Sequence, residues 1–286
     1  MITAFHSNWT SPFFIQNNSN EYYIEDFEIL TTILSALKWR QNIGSIKMVT
    51  DKTGAAYYKS IGIESIWDLG IDAVLDDIKK DDFNNQIYWA AGKIYSLQKQ
   101  TSPIAMIDTD FIVWEDISKY LSDYKLATIH KEELNKYVYP EKDYFNMAGV
   151  YEFDSSWDWT VLPCNTAFAY INDNNFKEYY TKTSIDFIKN SIPNDNKITN
   201  MVFAEQRLFS ICAEKMGIKI KELVPLNELL NGNQTMFTHI WGYKGQLRSD
   251  KNKRTDFCLK CINRIIKEFP EYEKMLKKIK ALDIYF

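Results

Sequence analysis

Two aspartates one residue apart, Asp108 and Asp110, are the side chains whose types and spacing point most directly to chemistry. They follow the apolar run 103–107, which is typical of a buried strand. In an extended chain, side chains at i and i+2 point to the same side, so both carboxylates can bind one divalent cation. Without a cation the pair would suffer mutual repulsion. The spacing therefore predicts a site for Mg²⁺ or Mn²⁺, and the alternative is a turn cap with Asp110 solvated.

The first half of the chain supplies the elements that would position this pair. The predicted strands are residues 2–7, 45–51 and 104–110, and the predicted helices are residues 25–41, 55–62 and 84–100. Strands that alternate with helices over short connections predict an α/β fold with a mostly parallel central sheet and flanking helices. Open sheets of this kind bind ligands at the carboxyl ends of their strands, where both aspartates would lie.

The second half predicts a different organisation. Residues 137–163 are rich in aromatic and turn-forming residues, and insertions of this kind commonly carry specificity. A strand is predicted within residues 164–173, and helices are predicted at residues 176–190, 202–216 and 255–282.

Composition excludes several classes of function. The chain has 286 residues and a formal net charge of -4, so a general attraction to nucleic acid is not expected. No apolar run is long enough for a membrane span, and the first residues lack the features of a signal peptide, so we expect a cytoplasmic protein. The lysines after residue 250 are expected to form a solvated face, with peripheral membrane contact as the open alternative.

The pair Cys258 and Cys261 forms a C-x-x-C, which is a common metal or redox spacing. Both cysteines share one predicted helical face with Phe257, Ile262 and Ile265. We therefore predict that they are core residues.

The segment "IDTDFIVWED" resembles the D-x-D element of metal-dependent, nucleotide-sugar glycosyltransferases of the GT-A fold. The resemblance is strongest to the retaining galactosyltransferase and glycogenin-like families. It implies that Asp108 and Asp110 bind Mn²⁺ or Mg²⁺ together with a nucleotide-sugar donor, with a UDP-sugar favoured. It also implies that Lys93, about a dozen residues upstream, reaches the donor.

Two further segments resemble parts of the same enzymes that face the donor sugar. "PCNTAF" resembles the N-[ATS]-G segment, with Asn165 at the asparagine and Ala167 in place of the usual glycine. "FAEQRLF" resembles the D-Q-x-x-[LF] element, with Glu205 in place of aspartate and Gln206 matching. The resemblance implies that Asn165 contacts the donor and that Glu205 and Gln206 take part in catalysis.

"FTHIWGYKG" resembles the late H-x-x-G-x-x-K segment, in which histidine completes the metal site and lysine meets the diphosphate. His239 matches, and Lys244 comes one residue early. By position alone, the segment "AFHSNW", which includes His6, and Asp51 at the end of the second predicted strand would lie near the nucleotide.

The resemblance implies a GT-A domain at residues 1–250, followed by a C-terminal helical segment at residues 251–286. The implied activity is transfer of a hexose, with retention of configuration, from a nucleotide-diphosphate sugar to a hydroxyl of a carbohydrate or glycan acceptor. The alternatives are a sugar nucleotidyltransferase, an aspartyl-phosphate phosphatase, and a non-catalytic carbohydrate-binding or scaffold protein on a transferase fold.

Overall fold

The computed structural model of the chain describes residues 1–79, 82–192, 196–232 and 234–286. Its strands are β1 (Ala4–Asn8), β2 (Ile46–Thr50), β3 (Ile71–Ala73), β4 (Ile104–Ile107), β5 (Phe111–Val113), β6 (Leu126–Thr128), β7 (Asn146–Met147), β8 (Phe168–Ile171), β9 (Ser191–Ile192), β10 (Ile220–Glu222) and β11 (Phe237–His239). Its α-helices are α1 (Ser11–Asn17), α2 (Asp26–Asn42), α3 (Lys52–Ser60), α4 (Ala91–Gln98), α5 (Asn174–Asn190), α6 (Lys197–Val202), α7 (Leu208–Lys215), α8 (Leu226–Leu230), α9 (Lys244–Ser249), α10 (Lys251–Glu268) and α11 (Glu273–Leu276). A π-helical turn, Phe203–Arg207, joins α6 to α7.

A seven-stranded sheet forms the centre of the described part of the chain, in the order β10-β6-β8-β4-β1-β2-β3. Its neighbours pair in parallel except at β8, which is antiparallel to both β4 and β6. The predicted α/β class, with a mostly parallel central sheet, flanking helices and a C-terminal helical segment, is confirmed. The division of the chain into domains at residue 250 stays a prediction.

The strand directions bring several chain segments to one edge of the sheet. The carboxyl ends of β1, β4, β6 and β10 lie at the same edge, because these strands run in one direction. The reversed strand β8 begins at that edge, so residues just before Phe168 join the same cluster of loops. The topology therefore places side chains from distant parts of the sequence around one surface.

Alternate residues of the central strand β4 contribute to two hydrophobic cores. Ala105 and Ile107 belong to a core with α2 and α10, and Ile104 and Met106 belong to a core with α4, α5 and α7. This alternation follows from the two-residue period of side chains along a strand. Among the described residues, no helix is long and apolar enough to cross a membrane.

Two local predictions have clear outcomes. The predicted helix at 84–100 is too long, because α4 begins only at Ala91. The side chain of Asn84 accepts hydrogen bonds from the backbone N–H of Gln86 at 3.0 Å and of Ile87 at 3.3 Å, which favours a turn over a helix there. The prediction for the C-x-x-C is confirmed, since Cys258 and Cys261 are buried on α10 within the first core.

Candidate functional site

The turn after β4 carries both aspartates to the edge of the sheet. Asp108 N–H donates to Ala167 O at 2.8 Å, and Phe111 N–H donates back to Asp108 O at 3.0 Å, which fixes a tight turn. The chain then continues into β5, which pairs antiparallel with β11 and places Phe111 opposite His239. This two-stranded ribbon brings His239 next to aspartates that lie far from it in the sequence.

Asp108, Asp110 and His239 form a cluster suited to a metal ion. One ligand atom from each residue lies within 4.8 Å of the others. His239 Nε2 is 3.8 Å from Asp108 Oδ2 and 3.7 Å from Asp110 Oδ1. Two carboxylates and one imidazole form a donor set that Mn²⁺ and Mg²⁺ accept.

Two lysines neutralise the carboxylates of this cluster. Lys244 Nζ lies 2.9 Å from Asp110 Oδ2, and Lys93 Nζ lies 2.7 Å from Asp108 Oδ1. Lys93 also pairs with Glu205, so a single ammonium group bridges two carboxylates from different elements. The structure thus brings together all the residues that the resemblance assigns to the metal and the diphosphate.

Burial and charge set the protonation of the cluster. Burial lowers the pKa of His239, and the carboxylates of Asp110 and Asp108 offset this only partly, so the imidazole is neutral at pH 7 and can ligate a metal. Burial, the largest single effect, would raise the pKa of Asp108, but Lys93, His239 and Lys244 together lower it. Burial would likewise lower the pKa of Lys93, yet Asp108 and Glu205 hold it above its usual value.

The remaining predicted residues lie beside this cluster. Glu205 is 4% exposed and accepts a hydrogen bond from Thr166 Oγ1 at 2.9 Å as well as the contact from Lys93. It lies in the π-helical turn Phe203–Arg207, a kind of turn that is frequent at functional sites. Gln206 follows it, and its Oε1 accepts a hydrogen bond from the Tyr139 hydroxyl at 2.5 Å.

Asn165 precedes β8 and has both a local and a long-range contact. Its Oδ1 accepts a hydrogen bond from Ala167 N–H at 3.2 Å, which shapes the turn into β8. Its Nδ2 donates to Glu132 Oε1 at 3.2 Å. Sequence analysis assigned no role to Glu132 and His130, although an H-x-E after a strand has the same i, i+2 spacing as the D-x-D.

The expectation for His6 is wrong because it lies in the core, whereas the expectation for the rest of its segment and for Asp51 stays a prediction. His6 is fully buried, accepts a hydrogen bond from Trp67 Nε1 at 3.1 Å on Nδ1, and contacts Ser35 Oγ at 2.9 Å through Nε2. Burial lowers the pKa of His6 to about 3, so it is a neutral core residue. Asp51 caps α3 by accepting from Gly54 N–H at 2.8 Å, which leaves it a structural role.

Two connected cavities open at the carboxyl ends of β1 and β4. The smaller has a volume of about 210 Å³ and is lined by both aspartates, Lys93 and Lys244. The larger has a volume of about 860 Å³, and aromatic side chains form much of its lining. The two share a set of lining residues, which are Ser7, Asn8, Trp9, Trp89 and Thr109. The two aspartates therefore face a cleft large enough for a nucleotide-sized ligand.

Comparisons with solved structures find glycosyltransferases at low similarity. Mouse xyloside xylosyltransferase 1 in its apo form is 7% identical over 78% of this chain and 84% of that chain, with a TM-score of 0.39. The glycosyltransferase GlyE of Streptococcus pneumoniae TIGR4 is 12% identical over 78% of this chain and 46% of that chain, with a TM-score of 0.37. PaToxG glycosyltransferase is 10% identical over 98% of this chain and 84% of that chain, with a TM-score of 0.40. Values of this size do not establish a shared activity.

A comparison with curated proteins finds no match. A comparison with protein families matches residues 2–279 to a family described as a family of unknown function, DUF6734. Because this match spans nearly the whole sequence, the chain belongs to the DUF6734 family.

Proposed function

We propose that this protein is a divalent-metal-dependent glycosyltransferase. It would transfer a sugar from a nucleotide-diphosphate sugar, with a UDP-sugar favoured, to a hydroxyl of a carbohydrate acceptor. The observation that carries the proposal is the cluster of Asp108, Asp110 and His239, which is flanked by two lysines and faces a cleft at the carboxyl ends of parallel strands. Its chemistry matches the needs of a metal-bound diphosphate.

The chain's own residues fit Mn²⁺ or Mg²⁺ at this cluster. Asp108 and Asp110 would supply hard oxygen ligands, and His239, whose pKa is lowered by burial, would supply a neutral imidazole nitrogen. Lys93 and Lys244 already contact the two carboxylates, which is direct evidence that this place favours positive charge. When bound, the metal would neutralise charge that develops on the leaving diphosphate.

The two lysines would have different roles around the donor. Lys244 begins α9 and its side chain is 30% exposed, so it can turn from Asp110 to a phosphate oxygen. Lys93 is held between Asp108 and Glu205 with its side chain 13% exposed. We therefore assign Lys93 mainly to orienting these two carboxylates, with a weaker direct part in binding the donor than the resemblance implies.

The larger cavity would receive the nucleotide. Trp9, Phe13, Tyr22 and Tyr58 line it, and aromatic faces can stack on a nucleobase. Asn8 Nδ2 donates to the Tyr22 hydroxyl at 2.9 Å within this cavity, so an amide group is already fixed there for hydrogen bonding. The diphosphate would then extend toward the smaller cavity and the metal cluster.

The sugar would lie beyond the metal cluster, beside Glu205, Gln206 and Asn165. These side chains would orient sugar hydroxyls and hold the acceptor near the anomeric carbon, which is a proximity contribution. Retention of configuration is the outcome that the resemblance implies. It is tested by the NMR coupling constant of the anomeric proton in the first product formed.

The deciding experiment is calorimetric titration of UDP and of GDP into metal-stripped protein, with and without Mn²⁺. We expect Mn²⁺-dependent binding of UDP, together with slow Mn²⁺-dependent hydrolysis of a UDP-sugar when no acceptor is present. Binding of sugars without any dependence on metal or nucleotide would instead indicate a carbohydrate-binding protein. Absence of nucleotide binding under all conditions would refute the proposed function.

A further inference from the structure

A second pair of polar side chains at i, i+2 lies beside the candidate site, where β6 ends. His130 and Glu132 belong to a segment that runs antiparallel to the residues before β8. Glu132 N–H donates to Pro163 O at 2.7 Å, and Asn165 N–H donates to His130 O at 2.9 Å. Because this backbone is extended, His130 and Glu132 point to one side of it.

Within the described residues, one oxygen of the Glu132 carboxylate is held and the other is not. Oε1 accepts a hydrogen bond from Asn165 Nδ2 at 3.2 Å and lies 3.4 Å from His130 Nε2. Among the described residues, Oε2 has no hydrogen-bond partner, and the side chain is 18% exposed. The group is therefore fixed in direction while one oxygen stays open to a ligand.

His130 lies on the same side of this backbone as Glu132 and is buried. The residue is 2% exposed, and within the described parts of the chain neither ring nitrogen has a hydrogen-bond partner. Buried polar atoms are almost always paired, so an unpaired buried imidazole points to an unfilled polar contact. Glu132, Glu222 of β10 and His239 of β11 are the groups close enough to act on the pKa of His130, which burial lowers.

Glu132 contacts Asn165, which we place beside the sugar, and the acceptor of a transfer reaction must bind close to that sugar. Tyr139 donates to Gln206 Oε1 at 2.5 Å, and the carboxylates of Glu132 and Glu205 both lie close enough to act on the pKa of Tyr139. Neither Glu132 nor Gln206 lines the cavities assigned to the nucleotide and diphosphate. Glu132 therefore lies outside these two cavities and contacts Asn165, one of the residues that we place beside the sugar.

We propose that Glu132, oriented by Asn165, accepts a hydrogen bond from a hydroxyl group of the acceptor. This inference rests on the proposed function, because an acceptor exists only if a sugar is transferred. A hydrogen bond to a charged group typically changes binding by roughly 10- to 100-fold, so Glu132 would be a main determinant of acceptor recognition. The ligand class is a polyhydroxylated molecule such as a glycoside.

The test compares Glu132→Gln with Glu133→Gln, which neutralises an exposed neighbouring carboxylate. Each variant and the wild type receive a UDP-sugar, Mn²⁺ and a panel of methyl glycosides as acceptors. We expect Glu132→Gln to lower kcat/KM for the acceptor by about 10- to 100-fold, mainly through KM. Its Mn²⁺-dependent UDP binding should stay within about twofold of wild type, as should every property of Glu133→Gln.

The outcomes separate this inference from the proposed function. Unchanged acceptor kinetics in Glu132→Gln, beside an active wild type, would overturn the inference and leave the proposed function intact. Equal losses in UDP binding and acceptor use would also overturn it, because they would indicate a role in donor binding or folding. Glu132→Asp is the second variant, and it should restore part of the acceptor affinity if the carboxylate itself makes the contact. A wild type that neither binds UDP nor hydrolyses the donor would overturn both.

Discussion

Lys244→Met should have opposite effects on the affinities for metal and for nucleotide. Lys244 Nζ lies 2.9 Å from Asp110 Oδ2, and the other oxygen, Oδ1, faces His239, so the ammonium group and a metal ion would compete for the charge of one carboxylate. Exposed ion pairs contribute about 0–1 kcal/mol and breaking a buried one costs about 3–5 kcal/mol, so we expect this half-buried pair to contribute about 1–2 kcal/mol. Since 1.4 kcal/mol corresponds to a factor of ten, we expect Mn²⁺ to bind Lys244→Met roughly tenfold more tightly.

The same substitution removes a cation that we assign to the diphosphate. UDP binding to the Mn²⁺-saturated variant should therefore be weaker by about tenfold. Both affinities are measured by calorimetry, first with MnCl₂ and then with UDP at saturating Mn²⁺. Lys244→Arg should stay close to wild type in both titrations, and Lys251→Met serves as the control for loss of an exposed lysine. Unchanged or weaker Mn²⁺ binding by Lys244→Met would refute the competition between lysine and metal.

Three other predictions test the site and the core. Asp110→Asn should abolish Mn²⁺-dependent UDP binding, and His239→Ala should weaken it less. If calorimetry finds that either variant binds UDP as the wild type does, that residue is not part of the metal site. Burial lowers the pKa of His6 from 6.5 to about 3, so below about pH 6.5 the unfolded chain binds a proton that the folded protein does not. The free energy of unfolding should therefore fall as the pH drops below about 6.5. An NMR resonance of the His6 ring that titrates near pH 6.5 would contradict this. Replacing Cys258 and Cys261 together by Ala should lower the free energy of unfolding by about 1–3 kcal/mol in a denaturant titration and leave activity unchanged, whereas loss of bound zinc would expose a metal site.

The local parts of the fold and site could be predicted from sequence because their signals lie close together in the chain. The apolar run before Asp108 and the i, i+2 spacing to Asp110 are both contained within a few residues. Helix α2 follows its predicted bounds, since Glu25 and Glu28 form a capping box at its start. The start of α4 was missed because the side chain of Asn84 competes for backbone N–H groups, which periodicity does not detect.

The long-range contacts could not be predicted from periodicity. His239 reaches the aspartates only because β11 pairs with β5, and the family resemblance, not the spacing, indicated it. The bridge from Lys93 to Glu205 joins residues 112 positions apart, so no local pattern encodes it. The spacing of His130 and Glu132 is visible in the sequence, but its meaning depends on the reversed strand β8, which places Asn165 opposite them.

Lys93 and Lys244 differ in how firmly they are held by the carboxylates of the site. Without a cation, the carboxylates of Asp108, Asp110 and Glu205 at one strand end would repel each other. Lys93 pairs with Asp108 and Glu205, and its side chain is mostly buried. Removing one partner of a buried ion pair costs about 3–5 kcal/mol, so we expect Lys93 to stabilise the folded protein. Lys244 binds the third carboxylate from a more exposed position and can leave it at a smaller cost. Under the proposed function, such a site would be stable without metal and would still admit a metal and a diphosphate together, because the metal would bind the carboxylate of Asp110 and the diphosphate would bind the released Lys244.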